Sequence, residues 1–231
     1  MAEKRILYTV VNRSGINIYE DHSTKSKKVA HVIRAAELTG TQWYGKWIYF
    51  PSQKGWGAAS CVIEGNRGNA LVYELKLIAK KMIAKNFRYS TKSLPLTLSA
   101  ALKSDHRTDC AHFVSYGLQA LGLLPSGKYI WLNKKINGNG ANYVRTSGKY
   151  YIGYPNKYPK DMNLKVGDIC GWGYTINGVT GQHTQVYAGK DSKGNYLWMS
   201  GGTSDVNGKN YGEKQKPSYM KRKVNVWMRL K

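Results

Sequence analysis

Asp109-Cys110-Ala111-His112-Phe113-Val114-Ser115-Tyr116-Gly117-Leu118-Gln119-Ala120-Leu121-Gly122 is the stretch whose reading decides the fold. Apolar residues at Phe113, Val114, Gly117, Leu118 and Leu121 follow the i, i+3/i+4 spacing of a helix with one buried stripe. Thr108 and Asp109 suit the N-cap, and Gly122 suits the stop. Cys110 is therefore expected in the first turn of a buried helix. Unpaired N–H groups and the helix dipole favour an anion there, so the spacing predicts a thiol with a lowered pKa. A thiol used as a nucleophile also needs a base. His183, in Gly181-Gln182-His183-Thr184-Gln185-Val186-Tyr187-Ala188-Gly189, supplies a candidate on a short β-like run closed by Gly.

Two other histidines compete. His112, two residues after Cys110 on the same helix, points away from the thiol. His106 lies in the preceding loop, within range of the site but without a pattern around it.

Three blocks in order carry a resemblance: DCAHFVS from Asp109, KVGDICGW from Lys165 to Trp172, and GQHTQVYAGKDSKGNYLWMSGG from Gly181 to Gly202. Together they resemble the NlpC-type cell-wall peptidases and the related CHAP and amidase domains of bacterial and phage lysins. The resemblance covers about the last two-thirds of the chain. It implies an α+β, papain-like cysteine hydrolase domain over residues 69–231, cleaving an amide or peptide bond of bacterial peptidoglycan. In that reading Cys110 attacks the carbonyl, and His183 takes the thiol proton and returns it to the leaving amine. Backbone N–H groups at the helix start hold the oxyanion, with Tyr89 as a matching aid. Relatives place a polar residue on the strand after the base, to orient the imidazole. Here that strand is Tyr196-Leu197-Trp198-Met199-Ser200, with an apolar residue at the aligned position. Asn195 is the best substitute, with Ser200 or a backbone carbonyl as alternatives.

Residues 1–64 read differently. Short runs at Tyr8-Thr9-Val10-Val11, Gly15 to Tyr19, Lys28 to Ile33, Glu37 to Thr41, Trp47 to Phe50 and Gly55 to Ala58 predict a small all-β barrel. Ile16-Asn17-Ile18-Tyr19, Lys28-Val29, Trp43 to Ile48 and Gly55-Trp56-Gly57 resemble the bacterial SH3-like domains that accompany wall hydrolases. That resemblance implies a wall-binding module, with Trp43, Tyr44, Trp47 and Trp56 as its substrate-binding face. His22 and His31 read as bystanders. Glu64 to Asn69 is a Gly/Asn linker. Ala70 to Asn86 is a basic amphipathic helix with Leu71, Leu75, Ile78, Met82 and Ile83 on its apolar stripe. Lys128 to Tyr158, rich in Gly, Asn and Tyr, interrupts the pattern as an inserted loop on the groove rim. The tail from Lys209 begins basic and ends as a strand through Val224, Val226 and Met228.

Composition limits the partners. In 231 residues, 42% hydrophobic and 12% aromatic content is enough for a packed core. With 3 Phe against 18 Tyr and 7 Trp, the aromatics suit half-buried strands and stacking surfaces. Cys61, Cys110 and Cys170 show no disulfide or metal spacing. Cys61 and Cys170 read as core, Asp109 as a cap and Asp168 as a turn into a strand. No cofactor or metal is called for. No secretory h-region opens the chain and no run reaches membrane length, so the expectation is synthesis in the cytoplasm without a signal peptide. Action on the wall would follow release, as for phage-type lysins, or another non-Sec export.

Two further functions share this pattern. One is a wall-binding protein with a degenerate catalytic domain. The other is acyl transfer or deamidation on a protein substrate by the same fold.

The charge is the dominant global quantity. Against 36 Lys+Arg stand 13 Asp+Glu, a formal +23, which points to an anionic partner, for which nucleic acid, anionic lipid and anionic wall polymers all qualify. No nucleic-acid-binding signature accompanies it, so no specific nucleic acid is expected. Binding to purified walls is predicted to weaken steadily as salt rises, measured by pull-down across a salt series. Salt-independent retention would contradict the electrostatic reading.

Overall fold

The computed structural model describes residues 4–176, 179–201, 211–215 and 221–231. Gly202 of the third sequence block, and residues 209, 210 and 216–220 of the basic tail, lie outside the described residues. The chain divides into two compact units, Met1–Ala70 and Leu71–Lys231.

The first unit is all-β: β1 (Ile6–Val10), β2 (Ile16–Tyr19), β3 (Lys28–Val32), β4 (Glu37–Gly40), β5 (Gln42–Tyr44), β6 (Trp47–Phe50), β7 (Gly55–Ala58) and β8 (Val62–Glu64). They form two antiparallel sheets, ordered β4-β1-β8 and β3-β2-β7-β6-β5. Strand alternation places one residue in two in the core, where Tyr8, Val10, Ile16, Ile18, Leu38, Ile48, Phe50 and Val62 pack together. Gly57 is small for a reason: a Cβ there would stand 2.6 Å from Ile16 and 2.9 Å from Phe50. β5 and β8 escape sequence reading because each has three residues, too few to show a period.

The expected linker is mostly regular structure. β8 runs to Glu64, and α1 (Arg67–Ala84) begins at Arg67. The Asn66 carboxamide oxygen accepts from the N–H groups of Gly68 (2.9 Å) and Asn69 (3.2 Å), capping α1. Leu71, Leu75, Ile78 and Met82 are buried as predicted, whereas Ile83 is 45% exposed. It lies one residue beyond Met82, about 100° around the helix and off the stripe.

After α1 come β9 (Arg88–Tyr89), one turn of helix α2 (Leu98–Ala100), β10 (Arg107–Thr108) and α3 (Cys110–Ala120). β9 and β10 pair in parallel, Arg88 with Arg107 and Tyr89 with Thr108. Gly117 lets α3 approach α1 closely, because a Cβ there would lie 2.7 Å from the Leu75 side chain. Next are β11 (Trp131–Leu132), β12 (Ile136–Asn137), α4 (Ala141–Thr146), β13 (Tyr150–Gly153), β14 (Ile169–Ile176), β15 (Val179–Lys190), β16 (Tyr196–Gly201), β17 (Tyr211–Gln215) and β18 (Val226–Leu230). Six of them make one antiparallel sheet in the order β13-β18-β14-β15-β16-β17. Helices and antiparallel sheet are thus combined in this unit.

Lys128 to Tyr158 is not an inserted loop. It contributes β13 to the sheet, and Leu132 N–H donates to Thr184 Oγ1 at 2.9 Å. Tyr150 is buried, with its hydroxyl donating to Leu123 O at 2.7 Å, while Tyr151 and Tyr154 are exposed. Its Gly and Asn content hid three short strands and a six-residue helix.

Asp168 does more than mark a turn. It is fully buried and takes a two-point contact from Arg229, Nε to Oδ1 and Nη2 to Oδ2, each 2.7 Å, plus the Lys165 N–H at 2.8 Å. Gly171 faces Leu132 so closely that a Cβ would stand 2.2 Å from the Leu132 Cβ and 2.9 Å from its carbonyl carbon. Gly171→Ala is therefore expected to cost about 1–3 kcal/mol and to lower the thermal midpoint by roughly 2–12 °C. An unchanged melting curve would show that β11 is free to give way.

Candidate functional site

Asp109 places the thiol. Its extended backbone and its carboxylate, which accepts the His112 N–H at 2.7 Å, start α3 one residue before Cys110. The same Oδ1 meets His112 Nδ1 at 2.9 Å, and the His112 ring stacks on Tyr129 with centroids 4.6 Å apart. His112 is thereby engaged by its own cap and by Tyr129, consistent with its exclusion as the base.

The start of α3 rests on the sheet. A Cβ on Gly201 would lie 2.5 Å from Asp109 O and 2.6 Å from the Phe113 Cβ, so only glycine admits this approach. Cys110 is buried, and the N–H groups of Thr184, Ala111 and Cys110 itself face its sulfur. Thr184 directly follows His183, so α3 brings the thiol to the strand residue beside the predicted base. The strand alternates: Thr184 faces Leu132 through its hydroxyl, while His183 shares the opposite face with its register partner Trp172. Thiol and imidazole thus lie on opposite faces of β15, with the strand between them. The hydrogen bonds of the described residues do not include one between Sγ and the imidazole.

The thiol pKa departs from the sequence expectation. Burial pushes it up to about 12; the Asp109 carboxylate adds to the rise, and the three N–H groups oppose it. The helix start does favour the anion, but loss of solvent outweighs it.

His183 is 2% exposed, and its Nε2 lies 3.2 Å from Ser200 Oγ, also buried. Ser200, one of the alternatives at the sequence level, occupies the position beside the imidazole. Asn195 does not. Its N–H and Nδ2 are bound to the Asp191 carboxylate at 2.8 and 3.0 Å, closing the turn between β15 and β16. It sits at the far end of β16 from Ser200, and a short polar residue in a Lys-Gly-Asn turn is used there for the turn itself. Trp198, at the aligned position, is fully buried in a cluster with Cys170, Trp172, Tyr187 and Val224. Tyr89 is 37% exposed on β9, with its backbone paired to Thr108, two residues before Cys110. His106 has a left-handed backbone, and its Nε2 lies 3.1 Å from Leu102 O.

In the first unit the aromatic residues behave unequally. Trp47 meets Tyr19 edge-on at 5.9 Å, and Trp56 lies 5.3 Å from Tyr49. His22, read as a bystander, lies 4.0 Å from Tyr44 with the rings tilted and meets Trp56 edge-on at 5.7 Å, joining the aromatic face. Trp43 donates to the Tyr8 hydroxyl at 3.0 Å, so the core ties it down although it is 43% exposed. A groove of about 470 Å³ runs beside Tyr19 and Trp47, with Asn17, Lys28 and His31 along it. Cys61, expected in the core, is half-buried and accepts from Asn12 Nδ2 at 3.4 Å. Among the described residues no group of three or more His, Cys, Asp or Glu is placed to hold a metal. No helix among them is long and apolar enough to cross a membrane.

Neither a family model nor a curated protein matches the chain. Among solved structures it is similar to NlpC2 from Trichomonas vaginalis, at 15% identity and a TM-score of 0.36, covering 98% of this chain and 72% of that one. NlpC1 from the same organism gives 15%, 0.35, 98% and 69%. An NlpC/P60 family protein from Bacillus cereus ATCC 10987 gives 14%, 0.24, 93% and 63%. Likenesses this distant carry no part of the functional argument, which rests on the geometry above.

The raised thiol has a consequence for stability. A thiol held near 12 in the fold, against an ordinary value of 9.0, stabilises the native state fully below about pH 9. That contribution is lost as pH rises toward 12; Cys170 and Tyr150, also raised by burial, act in the same direction. The thermal midpoint, followed by circular dichroism, is expected to hold level from pH 7 to 8.5 and to fall above pH 9. A midpoint level through pH 11 would contradict the burial of these groups.

Proposed function

We propose that the second unit is a cysteine hydrolase acting on an amide or peptide bond of bacterial peptidoglycan, and that the first unit is an SH3-like wall-binding module. The observation that carries the reading is the Cys110 sulfur at the start of α3, faced by the backbone N–H groups of Thr184, Ala111 and Cys110 itself. With the thiol pKa near 12, attack begins from the thiol rather than from a standing thiolate. Sγ forms a bond to the carbonyl carbon while its proton passes to His183. Because His183 lies on the face of β15 opposite the thiol, this transfer requires a rearrangement of β15 that brings the imidazole to the sulfur's face when substrate binds. Negative charge on the carbonyl oxygen falls to backbone N–H groups at the start of α3, with Tyr89 beside them. The imidazolium then gives its proton to the leaving amine, and water releases the acyl group from sulfur by the same exchange.

Wall attachment belongs to the first unit. Tyr44, Trp47 and Trp56, with His22 and Tyr49, offer stacking surface, and the +23 charge draws the chain to anionic wall polymers. A lysin released onto the wall is the setting that fits both.

A second reading keeps the binding and drops the chemistry. It is favoured by the placement of Cys110 and His183 on opposite faces of β15, by the buried Trp198 where a polar residue is expected, and by a thiol pKa near 12. Clearing of a wall suspension separates the two. Hydrolysis predicts that Cys110→Ala loses at least about a thousandfold of the clearing rate while still sedimenting with walls. Equal clearing by the native protein and Cys110→Ala, or none by either, favours the binding-only reading.

A further inference from the structure

A groove of about 530 Å³ in the second unit is lined by Ala84, Lys85, Asn86, Arg88, His106 and Arg107, none of them assigned to the thiol site. Three of these side chains are cationic, a fourth is an imidazole, and no carboxylate is among them. Lys85 and Arg88 are exposed, and among the described residues no ion pair involves either one. Lys85 has a structural use of its own, since it follows the last turn of α1 and offsets the negative end of that helix. The helix end does not account for Arg88 and Arg107. They are direct register partners in the parallel pair of β9 and β10. Paired strands stand about 4.8 Å apart and register partners share a face, so the two cationic stems start side by side. Like charges placed in this way repel one another, and a bound anion offsets the cost.

The frame under these cations is fixed. Asn86 and His106 both have left-handed backbones, with φ of 50° and 46°. The Arg88 N–H donates to His106 O at 2.8 Å and ties the two turns together. Phe87, fully buried, packs against the His106 ring with centroids 5.5 Å apart, and His106 Nε2 lies 3.1 Å from Leu102 O. Cations set on such a frame are presented at a lower ordering cost than cations on a loose tail.

The donor set selects the anion. A guanidinium fork binds two oxygens, and an ammonium and a carboxamide N–H serve further ones, which suits a tetrahedral phosphate better than a two-oxygen carboxylate. The volume matches that of sites for organic ligands, so it takes a polymer repeat rather than an ion alone. No Phe, Tyr or Trp lines the groove, whereas sites for single-stranded nucleic acid set stacking rings among their cations. We propose that this groove binds the phosphate ester groups of a polyol-phosphate polymer of the wall. Lys85, Arg88 and Asn86 make the contacts; Arg107, which engages a further neighbour as well, adds its charge. The proposal takes its polymer from the wall-acting reading and nothing from the Cys110 chemistry. It gives one address to an attraction that the +23 charge otherwise supplies diffusely.

Calorimetric titration of the full chain at about 0.15 M salt tests it, with poly(glycerol phosphate) as the probe. Inorganic phosphate, phosphatidylglycerol vesicles, and an oligothymidylate and a polyglutamate of matched charge are titrated alongside. The paired variant Lys85→Ser/Arg88→Ser is compared with Lys134→Ser/Lys135→Ser, an equal loss of charge at exposed residues outside the groove. Because all four side chains are exposed, both variants are expected to keep the native circular dichroism and melting curve. The groove variant is expected to lose at least about tenfold in affinity for the polymer, and the control less than about threefold. Equal losses in the two variants, or no binding by the native protein, would overturn the proposal in favour of diffuse charge. Equal or tighter binding of the oligothymidylate or the polyglutamate would overturn it by showing that the groove does not select the polyol phosphate. Binding to inorganic phosphate or to the vesicles without binding to the soluble polymer would overturn it as well, in favour of a free ion or a lipid headgroup. Wall clearing by the native protein and Cys110→Ala is read separately, so failure of either account leaves the other standing.

Discussion

The contact of the first turn of α3 with Thr184 of β15 and the end of β16 governs the second unit. It exists because Gly201 has no Cβ to strike Asp109 O, and because Asp109 starts the helix on the residue that precedes the sulfur. Given that contact, Cys110 is buried against the Thr184 N–H, and its pKa must rise. Given the same contact, His183 lies one residue away along the strand. Burial and the three facing N–H groups follow from one packing decision, and they act on the thiol in opposite directions. Sealing the thiol from water stabilises its proton, while the three N–H groups that face the sulfur favour the anion.

Local patterns carried much of this into the sequence. The helix of Cys110 was legible because its stripe, its cap and its stop agree with one another. The strand of His183 was legible from its alternation and closing Gly. Most strands of the first unit were legible as well, since alternating runs between turn residues specify a face as well as an element. In the same way, Asn17 lies outside while Ile16 and Ile18 lie inside.

What could not be read belongs to tertiary structure. Arg229 and Asp168 are 61 residues apart, and nothing near either one announces a buried two-point ion pair. The third residue beside the imidazole was mistaken for Asn195 because position along the strand was weighed above the use of Asn in turns. Ser200 is the residue that the register delivers. The thiol pKa was set by burial, which depends on what covers the helix start rather than on the helix. The stretch 128–158 looked like a loop because Gly and Asn dominate it, although Ile130, Leu132, Ile136 and Val144 within it are buried. Count of apolar residues misled; their placement would not have.

The central claim is that the Cys110 sulfur takes an acyl group from the substrate. Intact-protein mass spectrometry on samples quenched in acid during digestion of soluble wall fragments tests it most directly, with the adduct mapped by peptide digestion. The account predicts a transient added mass equal to an acyl fragment, confined to the peptide containing Cys110. Fragments released with no adduct at any time, or with one mapped to a different residue, would contradict it.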